Sequence, residues 1–274
     1  MFTSLKFVIK YCKYHIGGKH KKGHGIHSPF LFDIVTSVLN NKNVDDELKQ
    51  IFNLHDKYKK SKDPLVFKEM GAGSQRMSKK NKQESDSLII ATTLGKAICK
   101  SSVTKKYGKL LYRLVKYFHP KNILEIGTSV GISTLYLAKG ASESNIITMD
   151  GVKEKIEIAK NTARELNLHN IRFYCTDFNT GLPEILKQTD TLDFVFFDGN
   201  HTCEATLKYF ESCLEKAHND SVFILDDIHW SSAMTKAWKT IKNSPKVTMS
   251  IDLFQFGILF FKTEITKGHY VIKF

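Results

Sequence analysis

A glycine-containing turn carries the first group of residues suited to chemistry. The stretch 124–133 reads as a strand that ends at Gly127, a tight turn, and a helix that starts at Gly131. Glycines in such a turn let backbone N–H groups approach a ligand beside the positive N-terminus of a helix. Asp150 ends the next predicted strand, where an acid takes a ribose diol. These features predict nucleoside binding. The alternative is a structural turn in an unrelated α/β protein.

Three carboxylates that follow two later apolar runs form the second group. Asp198 comes after the run Leu192–Phe197, while Asp226 and Asp227 come after Val222–Leu225. Neighbouring parallel strands present their carboxyl ends at the same edge of a sheet, so these acids can meet there. Carboxylate oxygens suit Mg²⁺, Ca²⁺ or Mn²⁺. The sequence therefore predicts a divalent metal site, or else acids that cap helices or contact a bound ligand without metal.

The glycine spacing separates two classes of nucleoside-binding protein. A nicotinamide-binding fingerprint requires three glycines, and only Gly127 and Gly131 are present here. With Glu125 and Ser133 they form an acid-x-Gly-x-x-x-Gly-x-Ser pattern. This pattern resembles the first motif of class I S-adenosylmethionine (SAM)-dependent methyltransferases, and more narrowly the metal-dependent catechol and caffeoyl-CoA O-methyltransferase group. The resemblance extends over residues 108–262.

The resemblance implies SAM as the cofactor and assigns roles to individual residues. The implied cofactor-binding residues lie at the ends of successive strands: Glu125, Gly127, Thr128, Ser129, Gly131, Ser133, Asp150, Asp177, Phe178 and Asp198. Of these, Asp177 and Phe178 fall where the family holds the adenine. The family's metal ligands are an Asp followed later by Asp-Asn, matched here by Asp198 and Asp226. Asp227 stands where the family has Asn, which adds negative charge and bears on which metal binds.

His201 is the predicted general base. It lies three residues after Asp198, at a spacing where the resembled family has a lysine base. An imidazole can serve in its place, because its ordinary pKa near 6.5 suits proton removal around neutral pH. His201 and Asp198 are thus the predicted catalytic residues, with His229 as a second candidate base. The alternative for His201 is a loop histidine without a chemical role.

The elements that must position these residues alternate between strand and helix from residue 119 onward. Short apolar runs predict seven strands: Asn122–Gly127, Asn145–Asp150, Ile171–Cys175, Leu192–Gly199, Ser221–Asp227, Val247–Leu253 and Gly257–Lys262. Helical spacing fills the segments between the first six, while the last two strands follow each other closely and are expected to be antiparallel. The pattern predicts a doubly wound, mostly parallel, Rossmann-like α/β sheet.

The first 118 residues differ in charge and pattern. Residues 1–120 contain 24 Lys and Arg against 9 Asp and Glu, whereas the remainder is close to neutral with 17 against 19. The predicted organisation is therefore a basic helical region over residues 1–118, on the substrate side, and a SAM-binding domain over 119–274. Helices are expected at 32–39, 45–55, 88–100 and 109–118, with a mobile loop over 71–86. The segment 23–30 also resembles an uncharacterised methyltransferase group common in Bacteroidetes.

Composition narrows the remaining choices. Five scattered cysteines without a Cys-x-x-Cys pair argue against a disulfide framework and favour a reducing cytoplasm. The sequence contains no run of about 18 apolar residues, which a transmembrane helix would require. The preferred function is SAM-dependent O-methylation of a small-molecule hydroxyl or phenol, with metal assistance by Mg²⁺ as an option and a homodimer as a candidate state. The alternatives are an RNA methyltransferase that uses the basic region to bind nucleic acid, and a SAM-binding protein without catalysis.

Overall fold

The chain forms two compact units, one made of residues 43–188 and one that combines residues 1–42 with 189–274. The computed structural model describes residues 5–20, 23, 25–68 and 89–274. Across these described ranges no helix is long and apolar enough to cross a membrane.

The unit of residues 43–188 is built on three parallel strands in the order β3-β4-β5. The strands are β3 (Asn122–Ile126), β4 (Asn145–Asp150) and β5 (Ile171–Cys175). The helices of the unit are α3 (Asp46–Lys59), α4 (Leu94–Ser101), α5 (Lys105–Phe118), α6 (Ile132–Gly140), α7 (Lys153–Glu165) and α8 (Phe178–Lys187). Register pairs Ile126 with Met149, so β3 and β4 end beside each other.

Helix α5 packs against α6 within this unit. Its Gly108 leaves room for the ring of Tyr136 on α6, since a Cβ at that position would overlap the ring. The side chains of Leu110, Leu111 and Leu114 on α5 are fully buried. The predicted division into residues 1–118 and 119–274 stays a prediction.

A small antiparallel sheet precedes α4. Strands β1 (Pro64–Lys68) and β2 (Ile89–Thr93) pair with Leu65 opposite Thr92. The sequence predicts a single helix over 88–100, whereas α4 begins only at Leu94, with the Thr93 side chain accepting a hydrogen bond from the Lys96 N–H as its cap. Strand pairing with β1 overrides the helical pattern at its start. The predicted loop over 71–86 lies outside the described residues.

The second unit, residues 1–42 and 189–274, contains a five-stranded sheet in the order β10-β8-β9-β7-β6. Its strands are β6 (Leu192–Phe197), β7 (Ala217–Leu225), β8 (Met249–Asp252), β9 (Gly257–Phe260) and β10 (Gly268–Val271). Its helices are α1 (Leu5–Gly17), α2 (Pro29–Asp33), which continues into a π-helical turn (Ile34–Leu39), α9 (Cys203–Leu214) and α10 (Ser232–Lys242).

The predicted α/β architecture with a mainly parallel sheet is confirmed. Strands β6 and β7 run parallel, and the predicted antiparallel pairing of β8 with β9 is present, with Ile251 opposite Ile258. Among the described residues, eight strands (β3 to β10) belong to this mainly parallel arrangement, whereas the sequence predicts seven. The additional strand is β10, which pairs parallel with β8 near the C-terminus.

Candidate functional site

The turn after β3 holds its backbone in an unusual conformation. Three of five consecutive residues have positive φ: 110° at Gly127, 48° at Ser129 and 84° at Gly131. Gly131 caps the N-terminus of α6, and no side chain accepts the first N–H groups of that helix. These N–H groups have no partner within the helix, so they can face a polar ligand.

Gly131 is required for packing as well as for its conformation. A Cβ built on Gly131 would lie 2.7 Å from the Cβ of Ala159 on α7, closer than real side chains approach. The glycine therefore lets α6 start directly against α7. Both constraints act in the same direction, since a positive φ and a close helix contact each favour glycine over any other residue.

Asp150, predicted to bind a ribose, also orders the glycine turn. Its Oδ2 accepts the Ser129 N–H at 2.8 Å, and its Oδ1 accepts the Val152 N–H at 2.9 Å. The residue is 9% exposed. Because a carboxylate oxygen can accept more than one hydrogen bond, each oxygen keeps capacity for a diol hydroxyl. Asp150 thus joins the ends of β3 and β4, and its two oxygens can still accept hydrogen bonds from a ligand. Its assignment to a ribose stays a prediction.

Glu125 lies wholly inside this unit. Its Oε2 accepts hydrogen bonds from the hydroxyls of Thr134 and Thr148, the latter at 2.6 Å. The hydroxyl of Thr128 lies 2.6 Å from that of Thr148, which extends the network to the turn. Burial raises the pKa of Glu125 to about 7, although hydrogen bonds from Ser133, Thr134 and Thr148 act in the opposite direction. Ser133 lies on the first turn of α6 and is buried.

Asp177 and Phe178 lie at the start of helix α8. The Asp177 side chain accepts the Asn179 N–H at 2.8 Å and so caps the helix. Asp177 is exposed and Phe178 is half-buried. A capping acid at the end of β5 can still accept from a ligand, since only one of its oxygens is engaged by the cap. The assignment of this pair to the adenine therefore stays a prediction.

The second unit brings the three predicted carboxylates to one edge of its own sheet. Phe197 is paired with Leu225, so β6 and β7 end side by side, and Asp198 and Asp226 follow them directly. The Asp226 N–H donates to the Phe197 carbonyl at 2.9 Å. Asp227 comes next and adopts φ of 54°, a left-handed conformation that Asp and Asn adopt more readily than other residues with a side chain.

Asp226 is engaged by its neighbours on every side. Its Oδ1 accepts the Asp227 N–H at 2.7 Å, and its side chain is hydrogen-bonded to Gln255 and Asp198. Burial, followed by the charge of Asp227, raises the pKa of Asp226 well above its ordinary value. Burial also raises the pKa of Asp227, while His201 opposes that shift.

The carboxylates of Asp198, Asp226 and Asp227 are the kind of oxygen donors that a divalent cation takes. Within the described ranges of the chain, no group of three or more His, Cys, Asp or Glu side chains is placed so as to hold a metal ion. The predicted Mg²⁺ site is therefore not shown, and it stays a prediction.

His201 lies beside Asp198. Its Nε2 is 3.6 Å from Asp198 Oδ1, and its ring centroid is 6.0 Å from that of Trp230. Burial lowers the pKa of His201, whereas the negative charge of Asp227 raises it. A lowered pKa keeps the imidazole neutral around neutral pH, which is the form that accepts a proton. The preceding residue, Asn200, adopts a left-handed conformation with φ of 53°, which an asparagine tolerates.

The same unit also contains a hydrogen-bonded histidine–aspartate pair, of which the sequence pattern predicts only the histidine. His229 Nε2 lies 2.8 Å from Asp252 Oδ2, and the Trp238 indole N–H donates to the same oxygen at 3.2 Å. Asp252 Oδ1 accepts the Phe254 N–H at 2.9 Å. His229 was a second candidate base, but Asp252 was missed. The signal that could have found it is its position at the end of an apolar strand, the same rule that selects Asp198 and Asp226.

Comparison with known proteins identifies the part of the chain that contains most of these residues. Residues 124–228 match the profile of a methyltransferase domain. A catechol O-methyltransferase of Mycobacterium tuberculosis is 26% identical over 129 residues, which cover 46% of this chain and 57% of that protein. A catechol O-methyltransferase of Niastella koreensis is 26% identical over 150 residues, covering 53% of this chain and 67% of that protein. The chain spans between about half and two thirds of the length of these curated relatives.

Solved structures agree in fold. The S-adenosylhomocysteine-bound methyltransferase PaMTH1 of Podospora anserina has a TM-score of 0.55 at 12% identity, covering 81% of this chain and 91% of its own. An O-methyltransferase from Bacillus cereus in complex with S-adenosylhomocysteine has a TM-score of 0.50 at 18% identity, covering 81% and 93%. At such identities the likeness concerns the fold alone. Residues 124–228 therefore match a methyltransferase domain, and the resemblance to SAM-dependent O-methyltransferases of the catechol and caffeoyl-CoA group, indicated by the motif from Glu125 to Ser133, is confirmed.

Proposed function

We propose that this protein is a SAM-dependent methyltransferase that methylates a hydroxyl or phenol oxygen of a small molecule. The observation that carries the proposal is the turn after β3, whose backbone is tied to Asp150 through the Ser129 N–H. That turn lies inside the segment that matches a methyltransferase domain. The curated relatives named catechol O-methyltransferase support oxygen as the methyl acceptor.

The residues of the 43–188 unit fit the cofactor. When bound, SAM supplies a methyl group on a sulfonium that an oxygen nucleophile can attack. Asp150 would accept hydrogen bonds from the ribose diol, with its orientation fixed by two backbone N–H groups. The uncapped N-terminus of α6 behind Gly131 would face polar groups of the ligand. Asp177 and Phe178, at the start of α8, would contact the adenine.

His201 would remove the proton of the acceptor hydroxyl. A phenol such as that of tyrosine has a pKa near 10, so only about one molecule in a thousand is ionised at neutral pH. The pKa of His201 is lowered by burial, so the imidazole is neutral and can accept that proton at Nε2. Asp198, at 3.6 Å from Nε2, would then stabilise the imidazolium that forms.

No step of the proposed mechanism passes through a metal ion, because no group of three or more His, Cys, Asp or Glu side chains among the described residues is placed to hold one. The prediction of Mg²⁺ dependence is tested by the same assay after dialysis against a chelator. Loss of activity that Mg²⁺ or Mn²⁺ restores would show that a cation takes part in the reaction.

The test is a methyl-transfer assay with radiolabelled SAM over catechols, acyl-CoA phenols, sugars and RNA. We expect transfer to a catechol or phenol, lost in Asp150→Ala and retained in Glu154→Gln, an exposed acid in the same unit. SAM binding by calorimetry is measured in parallel. Absence of SAM binding, or binding of NADH in its place, would overturn the proposal. Transfer to RNA alone, with binding that falls steeply as salt rises, would establish the RNA alternative instead.

A further inference from the structure

Helix α1 is held to its own unit by one face. The Tyr14 hydroxyl donates to the Ile272 carbonyl at 2.6 Å and accepts the Phe274 N–H at 2.9 Å. The Tyr11 ring meets the Phe254 ring edge-on, with centroids 5.0 Å apart. These contacts fix the rotation of α1 about its axis. They therefore determine which side chains of the helix point away from the unit.

The opposite face of α1 is an exposed apolar stripe. Counted from Val8, the stripe continues one, four and eight residues later with Ile9, Cys12 and Ile16. This spacing places all four side chains on one side of the helix. Val8 is 42% exposed, Ile9 46% and Ile16 86%, and Cys12 is also exposed. A stripe of this length covers about 12 Å of helix. These exposed aliphatic side chains form one patch on the described part of α1, and a patch of this kind is suited to contact with an apolar surface.

Positive charge lies along one side of the stripe. Lys6, Lys10 and Lys13 are the charged residues of α1, which has no acid. Lys10 lines a groove of about 660 Å³ together with Lys236 and Lys239 of α10, and its Nζ donates to Thr235 Oγ1 at 2.8 Å.

The charges of this groove are not neutralised within the unit. Burial, and then the charge of Lys239, lowers the pKa of Lys10. Among the residues that the structure describes, no ion pair involves a lysine of α1 or α10. The groove therefore presents uncompensated positive charge next to an apolar stripe.

We propose that the face formed by α1 and α10 docks on the surface of an anionic lipid bilayer. The aliphatic side chains of Val8, Ile9 and Ile16 enter the headgroup boundary, while the lysines of the groove contact lipid phosphates. An exposed apolar stripe flanked by lysines is the pattern of a helix that lies in the interface plane. The inference does not rest on the proposed methyltransferase activity.

The charge pattern selects lipid over the other occupants. A second copy of the chain on this face would bring the same lysines opposite each other, since a two-fold interface repeats the same patch. A nucleic acid would satisfy the lysines, but it would leave the aliphatic stripe against water or phosphate. An anionic bilayer satisfies both halves of the surface at once.

The experiment is co-sedimentation of the full chain with vesicles of phosphatidylcholine alone and with phosphatidylglycerol added. We expect binding to the anionic vesicles, weakened about tenfold by the triple change Val8→Ser, Ile9→Ser, Ile16→Ser, and similarly by Lys236→Glu with Lys239→Glu. The matched control is Lys60→Glu with Lys62→Glu, two exposed lysines of the other unit, which should bind as the wild type does. Circular dichroism checks that each variant is folded.

Three results would overturn the inference. The first is equal binding to both kinds of vesicle, or to neither. The second is wild-type binding by the triple serine variant, which would leave only nonspecific charge attraction. The third is binding of another partner without any vesicle binding. A concentration-dependent dimer, seen by light scattering and abolished by the serine changes, would assign the face to a second copy of the chain. An RNA gel shift abolished by the lysine changes would assign it to RNA.

Discussion

The buried carboxyl of Glu125 should make the stability of the protein depend on pH in a way that one substitution removes. Glu125 is fully buried, and burial raises its pKa from 4.5 to about 7. Below pH 4.5 the carboxyl is protonated in both the folded and the unfolded chain, so it costs nothing. As the pH rises toward 7, the unfolded chain releases this proton while the folded chain keeps it. The free energy of unfolding therefore falls across this window and levels off above it.

The size of the effect follows from the two pKa values. Each pH unit between them is worth about 1.4 kcal/mol, so the full loss is about 3 kcal/mol. In Glu125→Gln the side chain does not titrate, and this part of the pH dependence should disappear. The amide would still accept from Thr134 and Thr148 through its oxygen. Its NH₂ would occupy the position of Oε1, where the protonated carboxyl also places a donor without a partner in the described structure.

The assay is urea unfolding at intervals from pH 4.5 to 8, for the wild type, Glu125→Gln and Glu143→Gln. Glu143 is an exposed acid of the same unit, so its variant should follow the wild-type curve. A non-titrating amide gives any offset of the Glu125→Gln curve the same size at every pH, so the signature is the difference in slope between the two curves. Parallel curves for the wild type and Glu125→Gln would show that Glu125 titrates near its ordinary pKa and that its burial is compensated.

The remaining predictions concern the cofactor, the base and the glycine turn. Asp150→Ala should raise the Kd for SAM more than tenfold, because a charge-assisted hydrogen bond is worth about 1.5–3 kcal/mol; unchanged affinity by calorimetry would remove the ribose assignment. His201→Ala should lower kcat by about 10²–10⁴, with a loss that shrinks as pH rises and the acceptor ionises unaided; a loss that is the same at all pH values would make the histidine structural. Gly131→Ala should lower the Tm, since its φ of 84° alone costs about 1–3 kcal/mol, while Gly17→Ala, with open space around it, should not; equal Tm values would refute the packing argument.

Much of the glycine turn after β3 can be predicted from the sequence, because its determinants are local. The glycines at 127 and 131 permit the positive φ values that the turn requires, whatever the rest of the chain does. The strand end at Asp150 follows from an apolar run, and its hydrogen bond to the Ser129 N–H follows from the pairing of β3 with β4. The placement of Asp198 next to Asp226 was likewise expected, because β6 and β7 are parallel and carry apolar runs that end together.

Other features depend on which surfaces meet, and the sequence pattern does not state that. The segment Ile89–Thr93 becomes a strand because β1 pairs with it, against its own helical pattern. The bond between His229 and Asp252 needs the carboxyl end of β8 to lie near the loop after β7, although 23 residues separate the two in the chain. The raised pKa of Asp226 comes from its burial in the folded chain and from the charge of Asp227 beside it. Such outcomes were decided only by the tertiary structure, because long-range packing, burial and the desolvation of charge are properties of the folded chain, while the backbone freedom of glycine and the alternation of apolar runs belong to the sequence itself.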